Sequence, residues 1–327
     1  MATDRAAAGS AAPGPSRAQS PSTTAQIAKA VLFGELHRRP DVLLLPNVWD
    51  VGSAMLVSQV DGVLALATTS AGIAAAAGFG DGEKLGLGQL CGLVGRIASA
   101  TALPVSVDLE AGYGRTAEEV ARSVASIVEA GAVGVNLEDG VPGDPTALLA
   151  SGAHAARIAA AREAADRLGV PIVINARTDV YWRRSGPPEH RFAETVRRLL
   201  EYAAAGADCV FAPGFPGPEP HVTGPDTLDV AGPDTAIGEL VRRLDGVPLN
   251  LLADPDLPPV GELRALGVRR LSVGSSLYRL GMAAVLDAVR AMTDSGNLDS
   301  LKGAQHLAYP ELAAMLDRAA PPDSALT

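Results

Sequence analysis

Eight short apolar runs without polar alternation, spaced by longer alanine-rich stretches, constrain the fold of this chain more than any other feature. The runs lie at residues 42–46, 63–68, 105–108, 134–138, 172–177, 209–212, 249–252 and 270–273. Strands buried on both faces of a parallel sheet read as continuous apolar segments, whereas a sheet with one wet face alternates. Helical patterns fall between them at 117–130, 155–168, 193–205 and 235–244, and another at 276–292 follows the last run. EAGAVGVNLE at 129–138 is echoed by AAGADCVFAP at 204–213 and more loosely by LGVRRLSVG at 266–274. In each, a glycine closes a helix and a strand follows almost at once. Eight such units in about 270 residues predict an α/β fold, a (β/α)₈ TIM barrel. An open doubly wound sheet is the rival, but no GxGxxG follows an early strand, which argues against its dinucleotide-binding version.

Hydrophobic residues make up 47% of the 327 and aromatics only 4%, so Ala, Val and Leu must fill the core. The formal net charge of −10 argues against nucleic acid, whose phosphates demand a basic face. No apolar run is long enough to span a bilayer, and the N-terminus lacks the apolar centre of a secretory signal. The expectation is a cytoplasmic protein with neither membrane nor nucleic-acid partners. Residues 1–24 are rich in Ala, Ser, Pro and Gly without an apolar period, which predicts a disordered tail ahead of a single barrel domain at 25–327. Cys91 and Cys209 lie far apart and outside any CxxC, and read as reduced packing residues rather than a disulfide framework or a zinc site.

In such a barrel the catalytic groups belong at the C-terminal ends of the strands. The first run ends in Asn47, Trp49 and Asp50, and the second in Thr68, Thr69 and Ser70. The third ends in Asp108 and Glu110, followed by Tyr113; the fourth in Asn136, Glu138 and Asp139; the fifth in Asn175, Arg177 and Asp179. Asp108, Glu110 and Glu138 would converge on one rim, where like charges raise one another's pKa or require a cation. Oxygen-only ligands suit Mg²⁺, with Mn²⁺ as the alternative, and the absence of histidine at these ends argues against Zn²⁺. The plainer reading is that the acids cap the following helices, a role that Thr116 is placed to fill in the third unit.

Arg177 is either a clamp for a substrate carboxylate or the ion-pair partner of Glu138. The turn from Thr68 to Gly72 offers N–H groups and hydroxyls to a carboxylate or oxyanion, or is a plain turn. Trp49 is a core residue or a pocket wall; with Asp50 and Asn175 it joins the candidate substrate-binding set. His37, His154, His190, His221 and His306 fall outside the strand ends and read as surface or packing residues. The basic loop of Arg183, Arg184, His190 and Arg191 reads as solvated, and the Pro/Gly-dense stretch 213–233 as an irregular rim loop.

Five segments occur in order: NVWDVGSAMLV (47–57), ATTSAGIAAAAGFGDG (67–82), VSVDLEAGYG (105–114), GAVGVNLEDG (131–140) and INARTD (174–179). Together they resemble the isocitrate lyase / phosphoenolpyruvate mutase superfamily over roughly residues 43–292. The resemblance implies a (β/α)₈ barrel whose C-terminal helix is exchanged between subunits, giving a homodimer or homotetramer. It implies Mg²⁺ held partly through water by Asp108 and Glu110 of the DxE motif and Glu138 of the LED motif. It matches Arg177 to the family's arginine after the fifth strand, Thr69, Ser70 and Ala71 to its substrate-binding turn, and Asp81 to the aspartate that follows the turn.

Two departures narrow the activity. The family's isocitrate and methylisocitrate lyases carry a cysteine-bearing segment beyond the third strand, but here Gly112 and Tyr113 lead straight into Gly114-Arg115-Thr116. The mutase has a gating loop with Lys and Asn after LED; residues 140–157 contain neither, and Pro213 stands near the place of the mutase's histidine. The resulting expectation is a lyase that cleaves a C–C bond in a small 2-oxo or 2-hydroxy carboxylic acid, by decarboxylation or retro-aldol chemistry, through an enolate. Tyr113, Asp81 or a metal-bound water would manage the proton. The alternatives are a phosphonate-handling mutase or hydrolase of the same superfamily, and an inactive barrel serving as a binding or scaffold protein. The intact DxE, LED and Arg set argues against the last.

Overall fold

The computed structural model describes residues 21–216 and 233–319. Each apolar run contributes a parallel strand. The first run is broken at Pro46 into β1 (Leu43–Leu45) and β2 (Asn47–Val48), because proline has no N–H to give a ladder. There follow β3 (Leu66–Thr68), β4 (Val105–Asp108), β5 (Gly134–Glu138), β6 (Val173–Arg177), β7 (Cys209–Phe211), β8 (Leu249–Leu252) and β9 (Arg270–Ser272). The hydrogen-bonded order is β1-β9-β8-β7-β6-β5-β4-β3-β2. Leu45 of β1 pairs with Ser272 of β9, and Asn47 of β2 pairs with Ala67 of β3. The two halves of one interrupted strand thus close the sheet into the TIM-like barrel that the run pattern predicts.

Helix α1 (Pro21–Arg38) begins ahead of the expected domain start; the rest of the predicted tail, residues 1–20, lies outside the described residues. It plugs the N-terminal end of the barrel. Gln26 Nε2 donates to the carbonyls of Val128 (2.6 Å) and Ala132 (2.9 Å), and Phe33 and Leu36 are buried. The opposite end, where the strands finish, is left for the site.

Two short helices, α2 (Val51–Val57) and α3 (Ser70–Ala76), start directly after β2 and β3. The outer ring continues with α4 (Leu87–Ser99), α5 (Ala117–Glu129), α6 (Ser151–Leu168), α7 (Pro188–Ala204), α8 (Pro233–Arg243) and α9 (Val260–Leu266). The echoed segments share one device: Gly131 and Gly206 take φ +104° and +109° where the helix turns back toward its strand, a conformation that glycine adopts without strain. Thr116 caps α5 as expected. Its Oγ1 accepts from Glu119 N at 3.2 Å while Glu119 Oε2 accepts from Thr116 N at 3.1 Å, a reciprocal capping box that leaves Asp108 and Glu110 free.

Beyond the barrel, α10 (Ser276–Ser295) has no buried residue, and α11 (Tyr309–Ala319) packs near α2. Val285, Leu286 and Val289 of α10 are each at least half exposed. No helix among the described residues is long and apolar enough to cross a membrane. Cys91 and Cys209 are both free. Most of the predicted 213–233 loop, with His221, lies outside the described residues.

Candidate active site

A cavity of about 300 Å³ opens at the C-terminal ends of the strands and runs into the barrel interior. On its wall stand Thr69, Ser70, Ala71, Asp81, Asp108, Asn175 and Arg177, seven of the residues singled out from sequence. Each is placed by local backbone logic. Asp108 and Arg177 are the last residues of β4 and β6, and Ser70 is the first of α3. Thr69 caps α3, accepting from Gly72 N at 3.3 Å.

Asp108 is fixed from both sides. Its Oδ2 accepts from the Ser70 hydroxyl (2.8 Å) and the Ser70 N–H (3.1 Å), and its Oδ1 accepts from Asn136 Nδ2 (3.0 Å). Asn136 Oδ1 accepts in turn from Asn175 Nδ2 at 2.8 Å. Asn175 Oδ1 is buried without a partner on the cavity side of this chain.

Glu110, with φ +50°, turns its carboxylate away from the cavity wall toward the loop that carries Asp81. Its Oε2 accepts from Gly82 N (2.9 Å) and Glu83 N (2.8 Å), and its Oε1 accepts from Tyr113 Oη (3.2 Å). Burial, then the charges of Asp108 and Asp81, push the Glu110 carboxyl up to about 7. Partial desolvation and the Asp108 charge also raise Asp81 at the cavity mouth. Burial, followed by the Glu110 charge, pushes the Tyr113 phenol far above its ordinary value, so it is a fixed donor to Glu110.

Arg177 answers the alternative left open by the sequence. Its Nη1 lies 2.9 Å from Glu138 Oε2 and its Nε 2.5 Å from Asp179 Oδ1. Arg183 completes the network at 3.0 Å from Asp179 Oδ2. Burial works against the Arg177 charge, but Asp179 and Glu138 outweigh it and hold the guanidinium protonated. Burial raises the Glu138 carboxyl well above the usual range, against the Arg177 charge beside it. Nη2 is the nitrogen left over, so Arg177 offers the cavity one donor edge rather than a two-pronged fork. The rings of Trp182 and Phe211 lie 5.9 and 5.8 Å from the guanidinium carbon.

Five expected site residues take other positions. Asp50 caps α2: its Oδ1 accepts from Ser53 N at 2.6 Å. Trp49 packs edge-on against Tyr278 at 5.4 Å, off the cavity wall. Tyr113 and Glu110 stand behind the wall. Glu138 also stands behind it, locked to Arg177. Among the described residues, no three Asp, Glu, His or Cys side chains stand close enough to hold a metal ion directly. The acids are therefore grouped, with Asp81 and Asp108 in front and Glu110 and Glu138 behind, and do not form one direct coordination shell. An all-oxygen crowd of mutually repelling carboxylates suits a hard divalent cation that keeps part of its water. Sequence reasoning also stopped too early along the chain: Asn250, Arg270, Ser272 and Arg279 line the cavity as well.

A closed parallel barrel whose mouth gathers these acids, a helix-start serine and an ion-paired arginine has the build of a (β/α)₈ enzyme of the lyase and mutase class. The chain belongs to the isocitrate lyase / phosphoenolpyruvate mutase superfamily: the family model for phosphoenolpyruvate phosphomutase matches residues 33–293. It is 32% identical over 284 residues to an uncharacterised protein of Mycobacterium tuberculosis, covering 87% of this chain and 95% of that one. It is 29% identical over 298 residues to an oxaloacetate decarboxylase of Rhodopseudomonas palustris, covering 89% and 91%. A crystal structure described as a candidate phosphonomutase from Burkholderia cenocepacia superposes with a TM-score of 0.70 at 39% identity, covering 81% of this chain and 98% of that one.

Proposed function

We propose that this protein is a Mg²⁺-dependent lyase that breaks a C–C bond beside the carbonyl of a small 2-oxo or 2-hydroxy acid, by decarboxylation or retro-aldol cleavage. The observation that carries this reading is the crowding of Asp81, Asp108, Glu110 and Glu138 at one end of the cavity, beside Ser70 and Arg177. Asp108 would hold the ion from the cavity wall, with Glu110 and Glu138 behind it; Mn²⁺ is the alternative ion. When bound, the metal polarises a 2-oxo group and eases the build-up of enolate charge.

The chain's own residues do the rest. Ala71, in the first turn of α3 where an N–H has no intrahelical acceptor, lines the cavity, and its N–H suits a substrate carboxylate oxygen. Arg177 Nη2, not engaged by Glu138 or Asp179, is the donor this residue keeps for the same ligand. The buried Phe211 ring lies beside that guanidinium and shields it from water, which strengthens its hold on charge. Of the protein groups proposed to manage the proton, Asp81 faces the cavity and Tyr113 does not, so the Asp81 carboxylate carries it to or from the enolate carbon. The likeness to an oxaloacetate decarboxylase over 91% of its length supports this reading.

The 39% identity to a candidate phosphonomutase favours a second reading, phosphonate chemistry. Against it, Pro213 lines the cavity, and residues 140–157 contain no Lys or Asn. We further place the protein in the cytoplasm as a homodimer or homotetramer assembled through α10, whose exposed Leu286 and Val289 are suited to a second subunit.

A panel of 2-oxo and 2-hydroxy diacids, assayed with Mg²⁺ and with EDTA, tests the proposal. It predicts metal-dependent release of a 2-oxo or enol-derived product such as pyruvate from an oxaloacetate-like acid. Turnover of phosphonopyruvate alone, followed by phosphorus NMR, would favour the second reading. Failure of every substrate would return the barrel to a binding role.

A further inference from the structure

We propose that the deep end of the cavity is an anion subsite built on Arg270, which takes a carboxylate at the far end of a substrate extending down the barrel axis. Arg270 opens β9 and is 2% exposed, yet it lines the cavity. Its Nε has no hydrogen-bond partner. Among the described residues its one hydrogen-bond contact is Nη1 to His37 Nε2 at 3.5 Å. Among the described residues, no carboxylate lies within ion-pair distance of it.

Three other arginines with little exposure show what a structural role looks like in this protein. Arg157 donates to the carbonyls of Ala111 (3.0 Å) and Arg115 (2.9 Å). Arg198 pairs with Asp139 at 3.0 Å and with Glu194 at 2.6 Å. Arg183 bonds Asp179 (3.0 Å) and the carbonyl of Val141 (3.1 Å). Among the described residues Arg270 is the one arginine with a buried donor left without a partner, and the residue lines the cavity.

Its immediate contacts supply no counter-charge; Asp108, on the same cavity wall, acts on it only from beyond ion-pair distance. His37 Nδ1 pairs with the Phe33 carbonyl at 2.8 Å, which leaves Nε2 as a neutral acceptor for the guanidinium. Burial pushes the Cys209 thiol up to about 12, so it stays protonated. Asn250 and Ser272 on the same stretch of wall bond each other at 3.1 Å. A desolvated cation in a neutral polar recess costs folding free energy unless an anion joins it, and a guanidinium fork is shaped for a carboxylate.

This deepens the lyase reading by requiring a second acid group, and rests on that reading only for where the 2-oxo end lies. The probes are 2-oxo acids of four to six carbons, each paired with the analogue in which a methyl group replaces the far carboxylate. Binding to the intact protein is followed by calorimetry and thermal shift, with and without Mg²⁺. One diacid should bind roughly 10- to 100-fold tighter than its partner, the scale of a charge-assisted hydrogen bond. Arg270→Met should erase that preference and raise the Tm of the ligand-free protein, whereas loss of a merely structural arginine would lower it. Arg270→Lys, which keeps the charge, should retain part of the preference. Equal binding of diacid and monoacid by the wild type, or a preference that survives Arg270→Met, overturns the proposal; so does failure of every pair to bind. A diacid preference that persists while Mg²⁺ changes nothing would instead refute the metal role at the rim and leave the subsite standing.

Discussion

The Ser70 hydroxyl donates to Asp108 Oδ2 at 2.8 Å, tying the first residue of one helix to the last residue of the next strand. The Ser70 N–H reaches the same oxygen at 3.1 Å. The turn into α3 and Asp108 are therefore tied together by two bonds. Ser70→Ala removes the hydroxyl bond and keeps the backbone one. It should lower kcat/KM about tenfold, in line with one hydrogen bond of about 1–1.5 kcal/mol, with little change in Tm. Wild-type kinetics in this variant would detach the serine from the site.

The Arg177 network predicts a stability effect. Glu138 and the buried Asp179 both pair with this guanidinium, and Asp179 also pairs with Arg183. Arg177→Met should cost about 3–5 kcal/mol in urea denaturation, the usual penalty for stranding a buried partner. Adding Glu138→Gln should recover part of that loss, a coupling that a double-mutant cycle reads directly. Strict additivity would contradict the network.

Asp50 provides the opposite control. As the cap of α2 it accepts from Ser53 N at 2.6 Å and faces away from the cavity. Asp50→Ala should cost about 1 kcal/mol of stability and leave KM unchanged. A raised KM at unchanged stability would return Asp50 to the substrate-binding set.

His37 sets a pH dependence of stability. Burial, then the Arg270 charge, lowers its folded pKa to about 3, with Arg38 adding to the effect and the Phe33 carbonyl opposing it. The folded state thus binds fewer protons than the unfolded chain, whose histidine titrates near 6.5. This contribution is complete above about pH 6.5 and is lost as pH falls toward 3, amounting to about 2 kcal/mol between pH 7 and 5. The fall in unfolding free energy over that interval should be shallower by about this amount in His37→Asn than in the wild type. Equal slopes would show that the ring is protonated in the fold or solvated.

The barrel was legible because a buried strand admits few residue types. The runs at 105–108, 134–138 and 249–252 are strands with those same limits. Pro46 and residues 63–65 were not, since hydropathy alone does not say which apolar residues find a ladder partner. Asp108, Ser70 and Arg177 were legible because a strand's end fixes where its last side chain points. Trp49 and Asp50 were misplaced: the turn into α2 begins one residue after Val48 and recruits the aspartate as a cap. Arg270 carried an unused signal. Arg269 and Arg270 stand at the entry to β9, which starts at Arg270, and the alternation of side chains there sends one of them inside.

The central claim is that the acid crowd at the barrel mouth holds a divalent ion, and Mn²⁺ titration followed by electron paramagnetic resonance tests it most directly. The account predicts about one Mn²⁺ bound per chain, competed off by Mg²⁺ and held at least about tenfold more weakly after Asp108→Asn, the usual range for loss of a ligand or its support. A free-ion spectrum unchanged by the wild-type protein, or equal binding by Asp108→Asn, would contradict it.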